Sequence, residues 1–239
     1  YHFAMDWLHT VDLGVAAHAM GNVIYDIVYV KLAHLHRDKA LAQISSRICE
    51  HQPTHGSSVN SFDLKNFTQP NAHLKNYPCL VYLKAAEIRG MVPLVTELVL
   101  EYSDGSLSSR HQVRMMNHLA TMYEIVHESD ITLGHRYPAF VTATQGFLLE
   151  YSWLSRAAIT TVPFLPRWSV VPKHHYTVHM CQQAAWINPK YCWTYGGEDF
   201  VGKISALGSA CYYGLASYRV PTKMLQKYAV AMHLMLTRN

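Results

Sequence analysis

The stretch 4–18, AMDWLHTVDLGVAAH, holds two aspartates and two histidines close together. Asp6 at the end of a strand would suit a hard metal ion, because the strand fixes the carboxylate and the following loop leaves it open. His9 would then hydrogen-bond that carboxylate or a phosphate. The alternative is that Asp6 caps the following helix, with Asp12 and His18 as structural helix residues. Taken alone, these residues favour the structural interpretation.

A second group of candidate ligands lies in the segment 173–181, KHHYTVHMC. His175 and His179 are four residues apart, so they share one face if the segment is helical. That spacing suits a metal, but the glutamate of the zinc-protease pattern is missing after the first histidine. The segment therefore favours a helix with histidines at its polar edge. Because Lys173 and His174 begin the helix, contact with a phosphate or with DNA is a further interpretation.

A third candidate is the segment 193–204, WTYGGEDFVGKI, in which two glycines precede an acidic pair. A helix N-terminus favours negative charge, which explains Glu198 and Asp199 structurally. The functional explanation is a carboxylate displayed beside a flexible loop as a metal ligand. Trp193 and Tyr195 would then pack the loop or stack on a base.

The elements that position these residues are mostly helical by their hydrophobic spacing. The sequence predicts a strand ending near residue 6 and helices over 10–32, 39–51, 79–102, 107–129, 139–161, 173–187, 198–215 and 221–237. Asp38 is the predicted cap of the second helix. Gly90 and Pro93 are expected to kink or split the third. The segment 51–78, rich in Pro, Ser and Asn, is predicted to be a long irregular connection.

Composition narrows the function classes. The 239 residues suffice for one large domain or two small ones, and half of them are hydrophobic. A net charge of +4 permits nucleic-acid binding without indicating it. Five cysteines with no Cys-x-x-Cys pair argue against a disulfide scaffold or zinc finger. We therefore expect the nucleus or cytosol. No secretory signal is visible, and polar residues interrupt the longest apolar run, 13–35, so no membrane span is expected.

In their order, these motifs resemble the C-terminal half of a eukaryotic DNA transposase of the DDE superfamily, nearest to CACTA-type elements. Such transposases carry Asp-Pro-Met-His, then Leu-Gly, then His. The matching residues at that spacing are Asp6, His9, Leu13, Gly14 and His18, with Trp7 and Leu8 in place of the Pro and Met. Downstream matches are Lys84, Glu87 and Arg89, then His179, Trp193, Tyr195, Glu198 and Gly202. Each motif is weak alone, and their order is the more specific feature.

The resemblance implies a mainly α chain in which a large helical insertion is flanked by remnants of an RNase H-like α/β core. Residues 1–12 would hold the end of a core strand with the second catalytic Asp. Residues 13–170 would form the helical insertion. Residues 171–239 would form C-terminal core helices that carry the third acid.

The same resemblance implies a set of site residues. Asp6 and Glu198 would be the catalytic acids and the ligands of Mg²⁺ or Mn²⁺, which in a two-metal site lie about 4 Å apart. His9, His175 and His179 would support these ligands or contact a phosphate. Lys173, His174 and Lys203 would contact nucleic acid. The expected partner is DNA at the transposon ends, with the upstream remainder of the same protein and a homo-oligomer as further expectations.

The chain begins at Tyr1, whereas the first Asp of the family lies upstream. We therefore expect a fragment with an incomplete metal site and no strand transfer of its own. Three alternatives remain. The first is a catalytically dead, element-derived helical module that binds DNA or protein. The second is a helical scaffold with no nucleic-acid role. The third is a histidine-based metal hydrolase, which requires His9, His18, His175, His179 and nearby acids to supply at least three converging ligands.

Overall fold

Helices account for nearly all regular structure in the residues that the computed structural model describes, 5–68, 78–160, 166–194, 205–212 and 217–236. The predicted mainly helical class is confirmed. The chain divides into two compact units, Tyr1–Trp193 and Thr194–Asn239. The first contains α1 (Leu8–Lys31), α2 (Arg37–Glu50), α3 (Ala85–Glu101), α4 (Leu107–Glu128), α5 (Tyr137–Ile159) and α6 (Pro172–Gln183). The second contains α7 (205–212) and α8 (Val220–Leu236).

Helix α1 begins two residues before the predicted Thr10. Most of the strand predicted before it falls on residues 1–4, outside the described part. Wide π-type turns form both ends of α1, and Gly14 departs from helical geometry with φ −124° and ψ −111°. A Cβ atom on Gly14 would lie 2.7 Å from Cδ of Lys173, which crosses the helix there. The glycine of the Leu-Gly motif therefore permits α6 to approach α1 closely.

By length and composition α1 could cross a membrane, yet 72% of its most apolar window is buried inside the protein. It packs on α3, on α6 and on the short strand β2 (Cys79–Leu80). Helix α4 packs along α5, and the largest fully buried side chains include Trp7, Phe140 and Tyr151. Burial of this apolar surface is the main source of stability, at roughly 25 cal/mol per Å². The helix is thus part of the core of the first unit.

The helix predicted over 79–102 starts later than predicted, because its first residues form a strand. Cys79 and Leu80 pair antiparallel with β1 (Phe67–Thr68), and α3 begins at Ala85. Of the kink or split predicted at Gly90 and Pro93, the split does not occur, because α3 runs unbroken through Pro93. Side chains on both sides of the proline are buried in the core, and this packing offsets the missing backbone hydrogen bond.

Two helix starts show how local sequence positions the elements. The backbone N–H of Asp38 donates to Nδ1 of His36 at 3.4 Å, so α2 begins at Arg37, two residues earlier than predicted, and Asp38 lies in its first turn. At α3, Glu87 accepts the backbone N–H of Lys84 at 2.7 Å, as in a capping box. Glu87, one of the residues that match the transposase pattern, therefore stabilises a helix start.

Helix α7 and helix α8 contact each other, with Nζ of Lys227 donating to the carbonyl of Ala210 at 3.4 Å. Helix α8 starts at Val220, next to the predicted Pro221. Two predicted site residues, Glu198 and Lys203, lie outside the described residues.

Candidate functional site

Asp6 lies at the start of α1 with its carboxylate turned toward the first backbone N–H groups of the helix. Oδ1 accepts the N–H of Leu8 at 3.2 Å and Oδ2 accepts that of His9 at 3.3 Å. Nδ1 of His9 also forms a short contact with Oδ2 of Asp6. The side chain of Asp6 is 19% exposed and that of His9 is 52% exposed. The pair therefore stabilises the helix start and still faces solvent.

The end of α6 and the segment after it adjoin this pair. The backbone N–H of Met5 donates to Oε1 of Gln183 at 2.7 Å, which holds the residue before Asp6 against α6. Met5 and Cys192 line the same small cavity. Burial raises the pKa of the Cys192 thiol, and the negative charge of Asp6 raises it further. Cys192 thus lies within electrostatic reach of Asp6, six residues before Glu198 in the sequence.

A carboxylate oxygen is the ligand type that Mg²⁺ and Mn²⁺ prefer, so Asp6 fits such an ion chemically. Within the described ranges, however, no three His, Cys, Asp or Glu side chains are grouped as a metal site. Asp6 would therefore need a second acid from elsewhere. The histidine-based hydrolase has no assembled ligand set in this part of the chain.

Asp12 and His18 occupy the inner side of α1. Asp12 is fully buried, and its carboxylate accepts the indole N–H of Trp7 at 3.3 Å and the hydroxyl of Tyr123. Burial lowers the pKa of His18 to about 4, and positive charge at His174 and Lys173 lowers it further. Both side chains are directed into the protein, which is consistent with the predicted structural role of Asp12 and His18.

Lys173 and His174 are turned into the first unit. Nζ of Lys173 donates to the carbonyl of Leu13 at 2.7 Å, beside the irregular turn at the start of α1. His174 is 6% exposed, accepts the N–H of Val171 at 3.1 Å and packs on the ring of Tyr151. Burial lowers its pKa to about 4. In this arrangement both side chains hold α6 against the core.

His175 and His179 lie on the other, exposed side of α6. Their Nε2 atoms are 2.9 Å apart, and Nδ1 of His179 is 3.4 Å from Oε1 of Gln182. The two imidazoles are therefore paired with each other.

Two motif residues that are distant in sequence, Arg89 and Trp193, lie in contact. The guanidinium of Arg89 is 5.0 Å from the centre of the Trp193 ring, a cation–π distance. His127 lies 5.9 Å from the same ring and stacks on His55. Burial lowers the pKa of His127 to about 4, and the positive charge of Arg89 lowers it further. The contact anchors Trp193 where the described part of the first unit ends.

One polar cluster was not predicted from the sequence. Glu150 on α5 forms a short contact with Nδ1 of His111 and a 2.8 Å ion pair with Arg114, both on α4. Burial raises the pKa of Glu150, but the hydrogen bonds from His111 and Arg114 outweigh it and the pKa is lowered. The ring of Trp153 stacks on His111 at 3.6 Å. Sequence spacing gives no signal for this cluster because its members lie on two helices.

Comparison of the chain with protein-family models, with curated proteins and with solved structures finds no match. The transposase resemblance therefore depends on the ordered motifs alone.

Proposed function

We propose that this chain derives from a DDE-type transposase whose parental activity is metal-dependent DNA cleavage and strand transfer. In this proposal Asp6 and Glu198 hold Mg²⁺ or Mn²⁺ in the parent protein, and the helices between them form the insertion in an RNase H-like core. The observation that carries the proposal is the proximity of Cys192 to Asp6. Cys192 precedes Glu198 by six residues in the sequence, so this proximity is consistent with a shared site.

The surroundings of Asp6 support a ligand role. His9 contacts Oδ2 of Asp6. In metal sites, hydrogen bonds from neighbouring residues orient the side chains that bind the ion, and the contact from His9 would orient this carboxylate in the same way. Gln183 fixes the backbone at Met5, and Arg89 fixes Trp193 at the start of the motif that contains Glu198. These contacts hold Met5, one residue before Asp6, and Trp193, five residues before Glu198 in the sequence.

The chemistry follows from the ligand type. A bound Mg²⁺ pair would activate the attacking water or 3′-hydroxyl and stabilise the leaving oxygen of the phosphodiester. Asp6 would contribute an oxygen ligand while its helix-start hydrogen bonds keep the carboxylate in place. His9, whose side chain is 52% exposed, would contact a phosphate oxygen in this proposal. DNA at the element's ends is the substrate in this proposal.

The second candidate is a catalytically dead, element-derived helical module that binds DNA or protein. A specific observation favours it: both oxygens of Asp6 already accept backbone N–H groups of α1. A residue retained only as a helix cap would show the same geometry. The two candidate functions therefore predict the same structure for the described residues, but they predict different metal binding.

Metal binding to this chain separates them. Because two of the three proposed acids are present, weak Mn²⁺ binding, followed by electron paramagnetic resonance, is expected in the wild type and is expected to be lost in Asp6→Asn and in Glu198→Gln. Asp130→Asn and Glu97→Gln are matched controls, because both acids lie exposed elsewhere in the first unit. Binding that is equal in all five proteins would refute the ligand role of Asp6 and Glu198 and leave the binding module.

A further inference from the structure

The histidine pair on α6 has a geometry that sequence spacing does not reveal. Nε2 of His175 and Nε2 of His179 are 2.9 Å apart, the ring centroids are 4.4 Å apart, and the ring planes are nearly perpendicular at 86°. The ring centres are farther apart than the nitrogens, so the two Nε2 atoms form the near ends of the rings. His175 is exposed and His179 is partly exposed, so solvent and ions reach the pair.

These distances fit one ion between the two nitrogens. If the two lines from ring centre through Nε2 lie in one plane and the pair is symmetric, the 2.9 Å and 4.4 Å separations place their meeting point roughly 2 Å from each nitrogen, the usual metal–imidazole distance. At that bond length a 2.9 Å separation corresponds to an N–metal–N angle of about 90°. A tetrahedral ion would need nitrogens about 3.3 Å apart. The right angle is that of adjacent positions in tetragonal and octahedral complexes.

The side chain of Gln182 supports the required tautomer. Oε1 of Gln182 is 3.4 Å from Nδ1 of His179 and can accept a hydrogen bond from it. With its proton on Nδ1, neutral His179 presents an unprotonated Nε2 to His175. Partners of this kind fix tautomer and ring orientation in metal-binding histidines.

We propose that His175 and His179 chelate a single divalent transition-metal ion of the copper or nickel type, with the remaining positions open to water or an external ligand. Imidazole nitrogen favours these ions, and tetragonal nitrogen–oxygen geometry is typical of Cu²⁺ and Ni²⁺. The site is separate in chemistry from the Mg²⁺ site proposed at Asp6, which uses oxygen ligands. It therefore goes beyond the proposed transposase ancestry and does not depend on it.

The competing explanation is a plain N–H···N hydrogen bond between two neutral imidazoles, which a 2.9 Å separation also accommodates. Under that explanation the chain has no preferred Cu²⁺ site at this pair. Any Cu²⁺ would then distribute over the sixteen histidines of the chain. Site-specific binding therefore decides between the two.

The test is titration of the full chain with Cu²⁺, measured by calorimetry and by electron paramagnetic resonance. One site of highest affinity is expected, with superhyperfine splitting from two nitrogen ligands. His175→Ala and His179→Ala should each weaken it about 100-fold, because the second imidazole of a chelate binds intramolecularly. Both positions are on the helix surface, and circular dichroism checks that the variants fold.

His135→Ala is the matched control, because His135 is exposed and lies outside α6. It should leave the affinity and the two-nitrogen spectrum unchanged, and excess Mg²⁺ should not displace the Cu²⁺. Equal Cu²⁺ affinity in the wild type and in both α6 variants would overturn the proposal. So would a wild-type spectrum with a single nitrogen ligand.

Discussion

The start of α1 and its buried face carry similar polar residues in opposite surroundings. At the start, Asp6 and His9 are 19% and 52% exposed and contact each other. On the buried face, Asp12, Asn22 and Asp26 are all buried, and the side chain of Asp26 is 7% exposed. We refer to these three as the inner polar set. The comparison shows that burial decides which of the polar residues on one helix remain accessible to a ligand.

Every member of the inner polar set is connected to a distant part of the chain. Asn22 donates to the carbonyl of Pro78 at 3.0 Å and accepts the N–H of Trp168 at 2.9 Å. Trp168 has a positive φ of 54°, which is uncommon for a side chain of this size. Asn22 therefore holds two connecting segments against α1, and its polarity is explained by the fold alone.

The largest expected effect is loss of the buried ion pair on the inner side. Asp26 forms an ion pair with Arg167 at 2.5 Å and accepts a hydrogen bond from Gln112, and all three side chains are largely buried. Asp26→Ala leaves the guanidinium without its counter-charge, so the free energy of unfolding should fall by about 3–5 kcal/mol. Chemical denaturation measures it.

Asp38→Ala is the control for this prediction. Asp38 also pairs with an arginine, Arg37, but its side chain is 66% exposed. Exposed pairs contribute little, so the loss should be below about 1 kcal/mol. Equal losses in the two variants would show that burial does not separate the two kinds of acid.

The next effect is acid destabilisation through His18 and His174. Burial lowers both pKa values to about 4, whereas an unfolded histidine titrates near 6.5. Between these values the unfolded state binds more protons, so stability is full above about pH 6.5 and falls as the pH is lowered toward 4. By pH 5 each imidazole should cost about 2 kcal/mol.

Unfolding free energies measured between pH 7 and 4.5 check this slope. His174→Asn removes one buried titrating group and should flatten the profile, whereas His135→Asn at the surface should not. A profile that is unchanged in His174→Asn would contradict the assignment of the acid sensitivity to the buried imidazoles.

The sequence was sufficient to predict most of the helices, but it was insufficient to predict which individual polar residues are buried. Hydrophobic periodicity predicted α4 and α5 to within a few residues, because their buried faces repeat at the helical period. It placed a helix at Cys79, where the strand forms through pairing with Phe67 and Thr68. It left open whether Pro93 kinks or splits α3, and the helix continues through the proline because neighbours distant in sequence supply packing there.

The candidate site shows the same division. The Asp6–His9 contact is local, three residues apart, and the sequence indicated it. The inward placement of Lys173 depends on the irregular turn at Gly14, which no spacing rule encodes. The proximity of Cys192 to Asp6 depends on the docking of α6 through Gln183. Chemistry-bearing residue types are thus visible in sequence, whereas their partners depend on tertiary packing.

The smallest expected change in stability is at Asp6, and it tests the comparison most sharply. Asp6→Ala removes the acceptor for two N–H groups of α1 and should cost about 1 kcal/mol, the usual value of a helix cap. Asp6→Asn retains an acceptor oxygen and should stay within a few tenths of a kcal/mol of the wild type. Thermal denaturation of the three proteins gives both values.

The asparagine variant separates the two roles because it keeps the cap and removes the charge. If Asp6 is a metal ligand, the Asp6→Asn protein should lose Mn²⁺ binding while its unfolding free energy is unchanged. If Asp6 has only a structural role, like the inner polar set, the result should differ. Asp6→Asn would then match the wild type in Mn²⁺ binding as well as in stability. The second result would place Asp6 with Asp12 and Asp26 despite its exposure, and the distinction between the start of α1 and its buried face would then be one of solvent contact alone.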